Sequence, residues 1–244
     1  LDGSSMDYRF EVFSGECNRT IVAKLSNRAS EFDTDIIVGV GGGRAIDTAK
    51  AVSHEIESAL VVIPTVASND SPCSALVVQY DENHMLDRFL TLKRNPDVVL
   101  VDSRVLVEAP VRYFVAGMGD ALATWFEAFT CTKSSAKNLP GGVSTAAALT
   151  LAKLCYETIM EYGIIARLAV DRKIVTPAVE RVIEANVLLS GLGFESSGLA
   201  AAHGIHEGIH ILEGTEGALH GEMVAFGTLC QLVMEDYSLS LIHI

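Results

Sequence analysis

Apolar and polar residues follow two different periods in the first part of the chain. Short runs rich in valine and isoleucine, each of strand length, alternate with stretches whose apolar positions recur at helical spacing. This alternation is typical of βαβ units in a parallel sheet. It predicts strands over residues 10–13, 35–40, 60–63 and 98–101, helices over 15–29 and 44–57, and a hairpin between Ala75 and Leu92 with a turn at 81–84.

From about Ala109 the strand signals disappear and only helical spacing remains. Thr176 is placed to cap a helix that begins at Pro177, and Gly163 is placed to end an earlier helix. The predicted helices span residues 120–131, 145–162, 177–189, 198–212 and 219–234, with a loop at 138–142 and a tail, 237–244, that fits no element. The sequence therefore predicts an α/β domain with a parallel sheet over residues 1–108, followed by an all-helical domain over residues 109–244.

Composition narrows the class of protein. Apolar residues make up 49% and charged residues 20% of the 244, which is typical of a globular chain and not of a disordered or membrane-spanning one. The net charge of −13 would repel a phosphate backbone, so we expect no nucleic-acid partner, and no membrane. Five cysteines without CxxC spacing, and an opening without a basic and apolar leader, predict reduced thiols and a cytoplasmic location.

A glycine-rich junction follows the predicted strand that ends at Val40. Gly41, Gly42 and Gly43 lead directly into the next predicted helix. Glycines there let the backbone approach a pyrophosphate, and a helix N-terminus offers free N–H groups and a positive dipole end. Arg44 stands where the standard dinucleotide fingerprint has a third glycine or alanine, so the match is partial. A tight strand-to-helix turn without a ligand is the alternative.

Four of the seven histidines lie between residues 203 and 220. Their spacing puts His203, His206 and His210 on one face of a helix, with His220 further along. Neutral imidazoles with a carboxylate suit zinc or iron, whereas the alternative is a set of buried core histidines. Residues 206–210 also match the HExxH motif of zinc proteases, but a protease would leave the glycine loop unexplained.

Asp120 follows Gly-Met-Gly at the predicted start of a helix. An N-cap, whose carboxylate accepts backbone N–H bonds, is the usual role of aspartate at such a place. From the residues alone we therefore interpret Asp120 as a cap first and as a candidate ligand second.

Six segments taken together resemble the iron-containing (group III) alcohol dehydrogenase family, and within it the enzymes that oxidise glycerol. They are residues 38–52, 63–80, 94–103, 115–128, 188–208 and 219–227, in the family's order. The resemblance implies an N-terminal dinucleotide domain, a C-terminal helical domain and an active site in the cleft between them. It also implies that the opening strands of the first domain and the last helices of the second lie outside this chain.

The resemblance also implies a set of site residues. Asp120, His203 and His220 are the expected ligands of one divalent metal, zinc in most glycerol-oxidising members, with Fe²⁺ as the alternative. Asp70 is the expected polyol contact, with Asp120 and His203 also on the substrate side, and Asp70 and His206 are the catalytic candidates. The expected NAD contacts are Gly42, Gly43, Arg44, Ala45, Asp47, Thr65, Ser68, Ser74, Leu76 and Tyr80.

The activity implied by the resemblance is NAD-dependent oxidation of glycerol to dihydroxyacetone by a homo-oligomer. A related diol or alcohol dehydrogenase is the closest alternative, and a dehydroquinate-synthase-like lyase is the alternative from another class. Three positions depart from the family pattern: Arg44 replaces a common lysine, Asn69 a usual threonine, and Glu207 a common neutral residue. The acidic residue that would favour NAD over NADP is expected before residue 1.

Overall fold

A three-stranded parallel sheet forms the first part of the protein in the computed structural model, which describes residues 7–82, 85–215 and 217–238. The elements of this part are α1 (Arg19–Glu31), β1 (Ile36–Gly41), α2 (Gly43–Ile56), β2 (Ala59–Pro64) and β5 (Val98–Val99). The strand order is β1-β2-β5, and α2 is the crossover from β1 to β2. Ile46 on α2 packs against Leu60 and Val62 on β2. This arrangement confirms the predicted βαβ unit.

An antiparallel hairpin lies between β2 and β5 in sequence. It pairs β3 (Leu76–Tyr80) with β4 (Leu86–Thr91). Val77 on β3 packs with Val22 of α1 and Val52 of α2, so the hairpin covers a second small core. The predicted hairpin is confirmed, although residues 83–84 of its turn lie outside the described residues.

The predicted strand over residues 10–13 is wrong. Phe10 and Val12 are 80% and 96% exposed, and residues 7–15 pair with no described strand. A β-branched run forms a ladder only when a neighbouring strand accepts its hydrogen bonds, and none of those described lies beside this run. The predicted strand 98–101 is shorter than expected, because only Val98 and Val99 join the ladder.

Helices are the regular elements of the described chain from Ser103 onward, apart from one isolated β-bridge between Lys137 and Val143. Thr145 and Thr176 cap two of them, each accepting a backbone N–H of the first turn. The helices are α3 (Ser103–Leu106), α4 (Val111–Ser134), α5 (Ala146–Asp171), α6 (Pro177–Glu184), α7 (Ser190–Ser197), α8 (Ala201–His210) and α9 (His220–Met234), with a π-helical segment, Ala185–Leu189, joining α6 to α7. The predicted class, an α/β part followed by helices, is confirmed.

No helix among the described residues is both long and apolar enough to cross a membrane. Residues 239–244 of the predicted tail lie outside the described residues.

Two predictions at helix boundaries are wrong. Gly163 does not end α5, which continues to Asp171; a Cβ on Gly163 would lie 3.2 Å from the Met118 sulfur, so the glycine serves the packing of α5 on α4. Asp120 is no N-cap, because α4 begins at Val111 and places Asp120 deep inside the helix. Its carboxylate is therefore available to groups from other elements.

Glycines bring α4 and α9 into backbone contact. A Cβ on Gly221 would overlap the carbonyl group of Ala116, and a Cβ on Gly119 would lie 2.5 Å from the Gly221 carbonyl oxygen. Asp120 and His220 are the chain neighbours of these two glycines. The close approach therefore brings both side chains to one place.

We expect Gly221→Ala to lower the free energy of unfolding by about 1–3 kcal/mol, because the added methyl group meets backbone that cannot yield. Gly208→Ala is the matched control: Gly208 also lies in a helix, but a Cβ there meets open space. The control should be neutral or slightly stabilising, since alanine is the better helix former. Chemical unfolding of both variants checks the prediction, and wild-type stability in Gly221→Ala would contradict the backbone contact.

Candidate active site

Asp120, His203 and His220 meet from α4, α8 and α9. One ligand atom of each lies within 4.8 Å of the others, and in the described part of the chain this is the one such group of three or more. His220 Nε2 lies 3.1 Å and His203 Nε2 3.5 Å from Asp120 Oδ1. The Asp120 residue is 1% exposed. One carboxylate and two imidazoles facing a common point are a donor set that suits a divalent metal and leaves positions open for substrate.

Glu127 orients one of these imidazoles, and sequence reasoning missed it. It lies two turns after Asp120 on α4, is fully buried, and holds His203 Nδ1 at 2.6 Å. Its other oxygen accepts the backbone N–H groups of Ala200 and His203. An acceptor at Nδ1 keeps a proton there, so that Nε2, on the side of Asp120, is the nitrogen that would bind a metal. The seven-residue spacing on one helix face was the available signal.

Opposite charges dominate the electrostatics of the group. Burial raises the pKa of Asp120, but the imidazoles of His220 and His203 lower it by more, so that the pKa lies well below its ordinary range. Burial lowers the pKa of His203, while Glu127 and Asp120 raise it by more, to well above its ordinary value. The Asp120 carboxylate is therefore held in its charged form, the form that binds a cation.

His206 lies next to the three-residue group but contributes no ligand atom to it. Its Nε2 is 3.2 Å from His220 Nδ1, so it can fix the orientation of that ring. Burial, with the neighbouring His220 and His203, lowers the pKa of His206 to about 3, which keeps the ring neutral. The ring of His210 lies 6.1 Å from that of His206 and contributes no atom to the group. Of the two histidines in the HExxH match, His206 thus contacts His220, but neither contributes a ligand atom to the group.

Asp70 borders the three-residue group from the loop after β2. Its backbone N–H donates to Asp120 Oδ2 at 3.2 Å. Its own carboxylate accepts the Ser190 hydroxyl at 3.2 Å, and Ser190 in turn hydrogen-bonds Thr124 at 2.8 Å. Burial, followed by the Asp120 charge, raises the pKa of Asp70 to about 7. The predicted polyol contact therefore lies beside the predicted metal ligands, on hydroxyl partners that the sequence did not reveal.

The glycine loop lies at the carboxyl ends of β1 and β2. Thr65 N–H donates to the Gly41 carbonyl at 3.0 Å, and Gly41 has φ +150°, a conformation that favours glycine. Gly42 caps α2, and a Cβ on Gly43 would lie 2.5 Å from the Asn69 amide nitrogen. The Asn69 side chain thus lies directly against the first turn of α2, at a helix N-terminus, where a phosphate could bind.

The other predicted NAD contacts lie around this loop with different exposure. The side chain of Arg44 is exposed and pairs with Glu16 at 2.7 Å. Asp47 faces inward: its oxygens accept the Ser71 hydroxyl at 2.6 Å and the Val78 N–H at 3.1 Å. Burial, followed by the charges of Asp47 and Glu16, raises the pKa of Tyr80 to about 12. Ser74 is buried, whereas Ala45, Thr65, Ser68 and Leu76 are half-buried.

Comparison with known proteins gives one family and closely similar relatives. A family model described as iron-containing alcohol dehydrogenase matches residues 1–103. Glycerol dehydrogenase of Thermotoga maritima is 53% identical over 226 residues, which cover 93% of this chain and 62% of that protein. Glycolaldehyde reductase of Halobacterium salinarum is 47% identical over 238 residues, covering 98% of this chain and 64% of that protein. The chain thus spans less than two thirds of the length of these curated relatives.

One solved structure shows how closely the fold is shared. The crystal structure of a probable glycerol dehydrogenase from Sinorhizobium meliloti 1021 matches with a TM-score of 0.95 at 47% identity. The match covers 98% of this chain and 67% of that one. The arrangement of strands and helices described above is therefore the arrangement of that protein over the shared part.

We expect Glu127→Gln to weaken zinc binding about 10- to 100-fold, the usual cost of losing such an orienting partner. Glutamine can still accept the backbone N–H groups, but an amide N–H facing Nδ1 moves the ring proton to Nε2, where the metal needs a lone pair. Competition with a chromophoric chelator measures the affinity.

Glu195→Gln is the matched control for this substitution. Glu195 is also a buried carboxylate that accepts a backbone N–H, from Ala75 at 2.7 Å, but it hydrogen-bonds none of the three candidate ligands. The zinc affinity of the Glu195→Gln variant should equal that of the wild type. Unchanged zinc affinity in Glu127→Gln would show that His203 does not depend on Glu127 for its orientation.

Proposed function

Because the chain belongs to the iron-containing alcohol dehydrogenase family, we propose that it acts in the NAD-dependent and metal-dependent oxidation of glycerol to dihydroxyacetone. The observation that carries the proposal is the meeting of Asp120, His203 and His220 beside Asp70. The glycine turn at the start of α2 supports the cofactor part of the proposal. The relatives named as glycerol dehydrogenases support the substrate.

A divalent metal would be held by Asp120, His203 and His220, and we propose zinc. The two imidazoles and one carboxylate suit zinc, and Glu127 adds the orienting carboxylate that zinc-bound histidines commonly have. Iron accepts the same donors and is the alternative. When bound, the metal acts as a Lewis acid that lowers the pKa of the reacting hydroxyl.

Asp70 would select polyols over simple alcohols. Its backbone N–H contacts Asp120 and its carboxylate is held by Ser190, so that carboxylate would accept a hydrogen bond from a second hydroxyl of the substrate. A monohydric alcohol has no group to place there, and the buried acceptor would be left without a partner. Asp70 is thus proposed to act in binding and in orienting the reacting carbon.

The oxidation removes a proton from the alcohol oxygen and a hydride from its carbon. NAD, when bound, would supply the hydride acceptor, and the protein would have to hold the nicotinamide ring against that carbon. We propose that the proton leaves to solvent on the side of His206, whose Nε2 contacts His220 Nδ1. The low pKa of His206 makes its ring a weak proton acceptor, so it would orient His220 and would not hold the proton.

NAD would lie along the carboxyl ends of β1 and β2. Its pyrophosphate would meet the backbone of Gly42, Gly43 and Ala45 at the N-terminus of α2, with Arg44 adding a charge. Thr65, Ser68, Ser74, Leu76 and Tyr80 would contact the remainder of the cofactor. A division into domains near residue 108, a homo-oligomeric assembly and a cytoplasmic location stay predictions.

A second candidate function is the reduction of a small hydroxyaldehyde. The glycolaldehyde reductase of Halobacterium salinarum shares almost the whole of this chain at 47% identity. The same residues would serve, with hydride moving from NADH or NADPH to a carbonyl carbon. The names of the relatives favour hydride transfer over the lyase alternative.

The test is NADH formation by the full-length protein with glycerol, followed by absorbance. We expect NADH formation to stop when a chelator removes the metal and to return when zinc is added. Glycolaldehyde with NADH is assayed in parallel, and a higher kcat/KM there would favour the second candidate. No turnover with glycerol, with other diols or with glycolaldehyde, in protein that holds both zinc and NAD, would overturn the dehydrogenase assignment.

His220→Ala and His210→Ala separate the proposed ligand from its neighbour. His220→Ala should abolish zinc binding and turnover and leave NAD affinity largely intact, because only the metal group is lost. His210→Ala should retain zinc, since its ring lies outside the group. Loss of zinc in His210→Ala with retention in His220→Ala would contradict the proposed ligand set.

A further inference from the structure

Lys50 is the largest fully buried side chain of the described residues. Its ammonium donates to the Leu76 carbonyl at 2.9 Å and lies 3.2 Å from the hydroxyls of both Ser71 and Ser74. Burial lowers the pKa of Lys50, although the charges of Asp47 and Asp70 oppose this shift. A charge taken out of water costs more than a well-packed apolar side chain of similar volume, so its presence calls for a specific role.

Asp47 shares the same partners from one turn earlier on α2. Its carboxylate lies 3.5 Å from the Lys50 ammonium, accepts the Ser71 hydroxyl at 2.6 Å, and accepts the Val78 N–H at 3.1 Å. Two buried and opposite charges on one helix thus hold residues 71–78 by side chain and by backbone. The neighbouring helix α7 adds Glu195, which accepts the Ala75 N–H.

The segment that these charges hold carries groups from both halves of the proposed reaction. Ser74 and Leu76 are proposed NAD contacts, and both touch Lys50 directly. Asp70, the proposed polyol contact, immediately precedes Ser71 and donates its backbone N–H to Asp120. A displacement of this segment would therefore move cofactor and substrate groups together.

We propose that Lys50, with Asp47 as its counter-charge, is a positioning residue that fixes residues 70–76 in the conformation that binds NAD and presents Asp70 to the substrate. This inference rests on the proposed function. Lys50 touches neither cofactor nor substrate, since its ammonium is enclosed by protein groups. Asp47, which the family resemblance leads us to expect as an NAD contact, would act through this segment, because its carboxylate binds Ser71 and Val78.

The test measures NAD affinity by isothermal titration calorimetry in the zinc-loaded full-length protein. Lys50→Met keeps the length of the side chain and removes the charge, but it leaves the Asp47 carboxylate buried alone. The double variant Asp47→Asn/Lys50→Met removes both charges and is measured beside it. We expect the dissociation constant for NAD to rise about tenfold in the double variant, as expected when charge-assisted hydrogen bonds no longer order a binding segment. Zinc content should stay at the wild-type level.

Val52→Ala is the matched control on the same helix. Val52 is 3% exposed and packs in the core under the hairpin, where it contacts none of residues 70–76 through a hydrogen bond. Truncating it lowers the melting temperature through lost packing. NAD affinity should nevertheless equal that of the wild type, because the charges that hold the segment remain.

The outcomes separate this inference from the proposed function. Weaker NAD binding in the double variant, with wild-type affinity in Val52→Ala, supports the positioning role even if the preferred substrate is not glycerol. Wild-type NAD affinity in the double variant overturns the positioning role of Lys50. An equal loss of NAD affinity in Val52→Ala also overturns it, because the effect would then come from lower overall stability. If the wild-type protein itself binds no NAD, both the proposed function and the positioning role of Lys50 are wrong.

Discussion

A single buried carboxylate organises the candidate site. Asp120 lies inside α4 with 1% of its surface exposed, and a charge in that position is stable only if other groups replace the lost water. Three groups do so: the imidazoles of His220 and His203, and the backbone N–H of Asp70. They come from α9, from α8 and from the loop after β2. The need to satisfy this one carboxylate therefore joins the helical part of the chain to the α/β part.

Small residues make that junction possible. Gly119 and Gly221 allow α4 and α9 to touch through their backbones, and a Cβ on Gly117 would overlap the Ala67 carbonyl of the loop after β2. Asn186, in the π-helical segment, donates to that same carbonyl at 3.0 Å. Segments of π-helix are frequent at functional sites, because the extra residue redirects a side chain. Here it directs an amide to the loop that carries Asp70.

The sequence predicted those features that depend on local pattern. Apolar spacing located most strands and helices, and local chemistry predicted the Thr176 cap of α6. Resemblance to a family, and not spacing, singled out Asp120, because the residues alone favoured an N-cap that the early start of α4 rules out. Glu127 and Lys50 were missed for a shared reason: a charged residue on a helix is ordinarily solvent-exposed, and only the packed structure shows that both are fully buried. The run at 10–13 failed because strand propensity says nothing about a pairing partner.

The ligand shell of zinc in the full-length protein, measured by X-ray absorption at the zinc edge, tests the proposed metal site. We expect two imidazole nitrogens and one carboxylate oxygen at about 2.0–2.2 Å, with water or substrate completing the shell. His203→Ala should remove one imidazole from that shell. A spectrum with sulfur ligands at about 2.3 Å, or one unchanged in His203→Ala, would place the metal elsewhere and exclude Asp120, His203 and His220 as its ligand set.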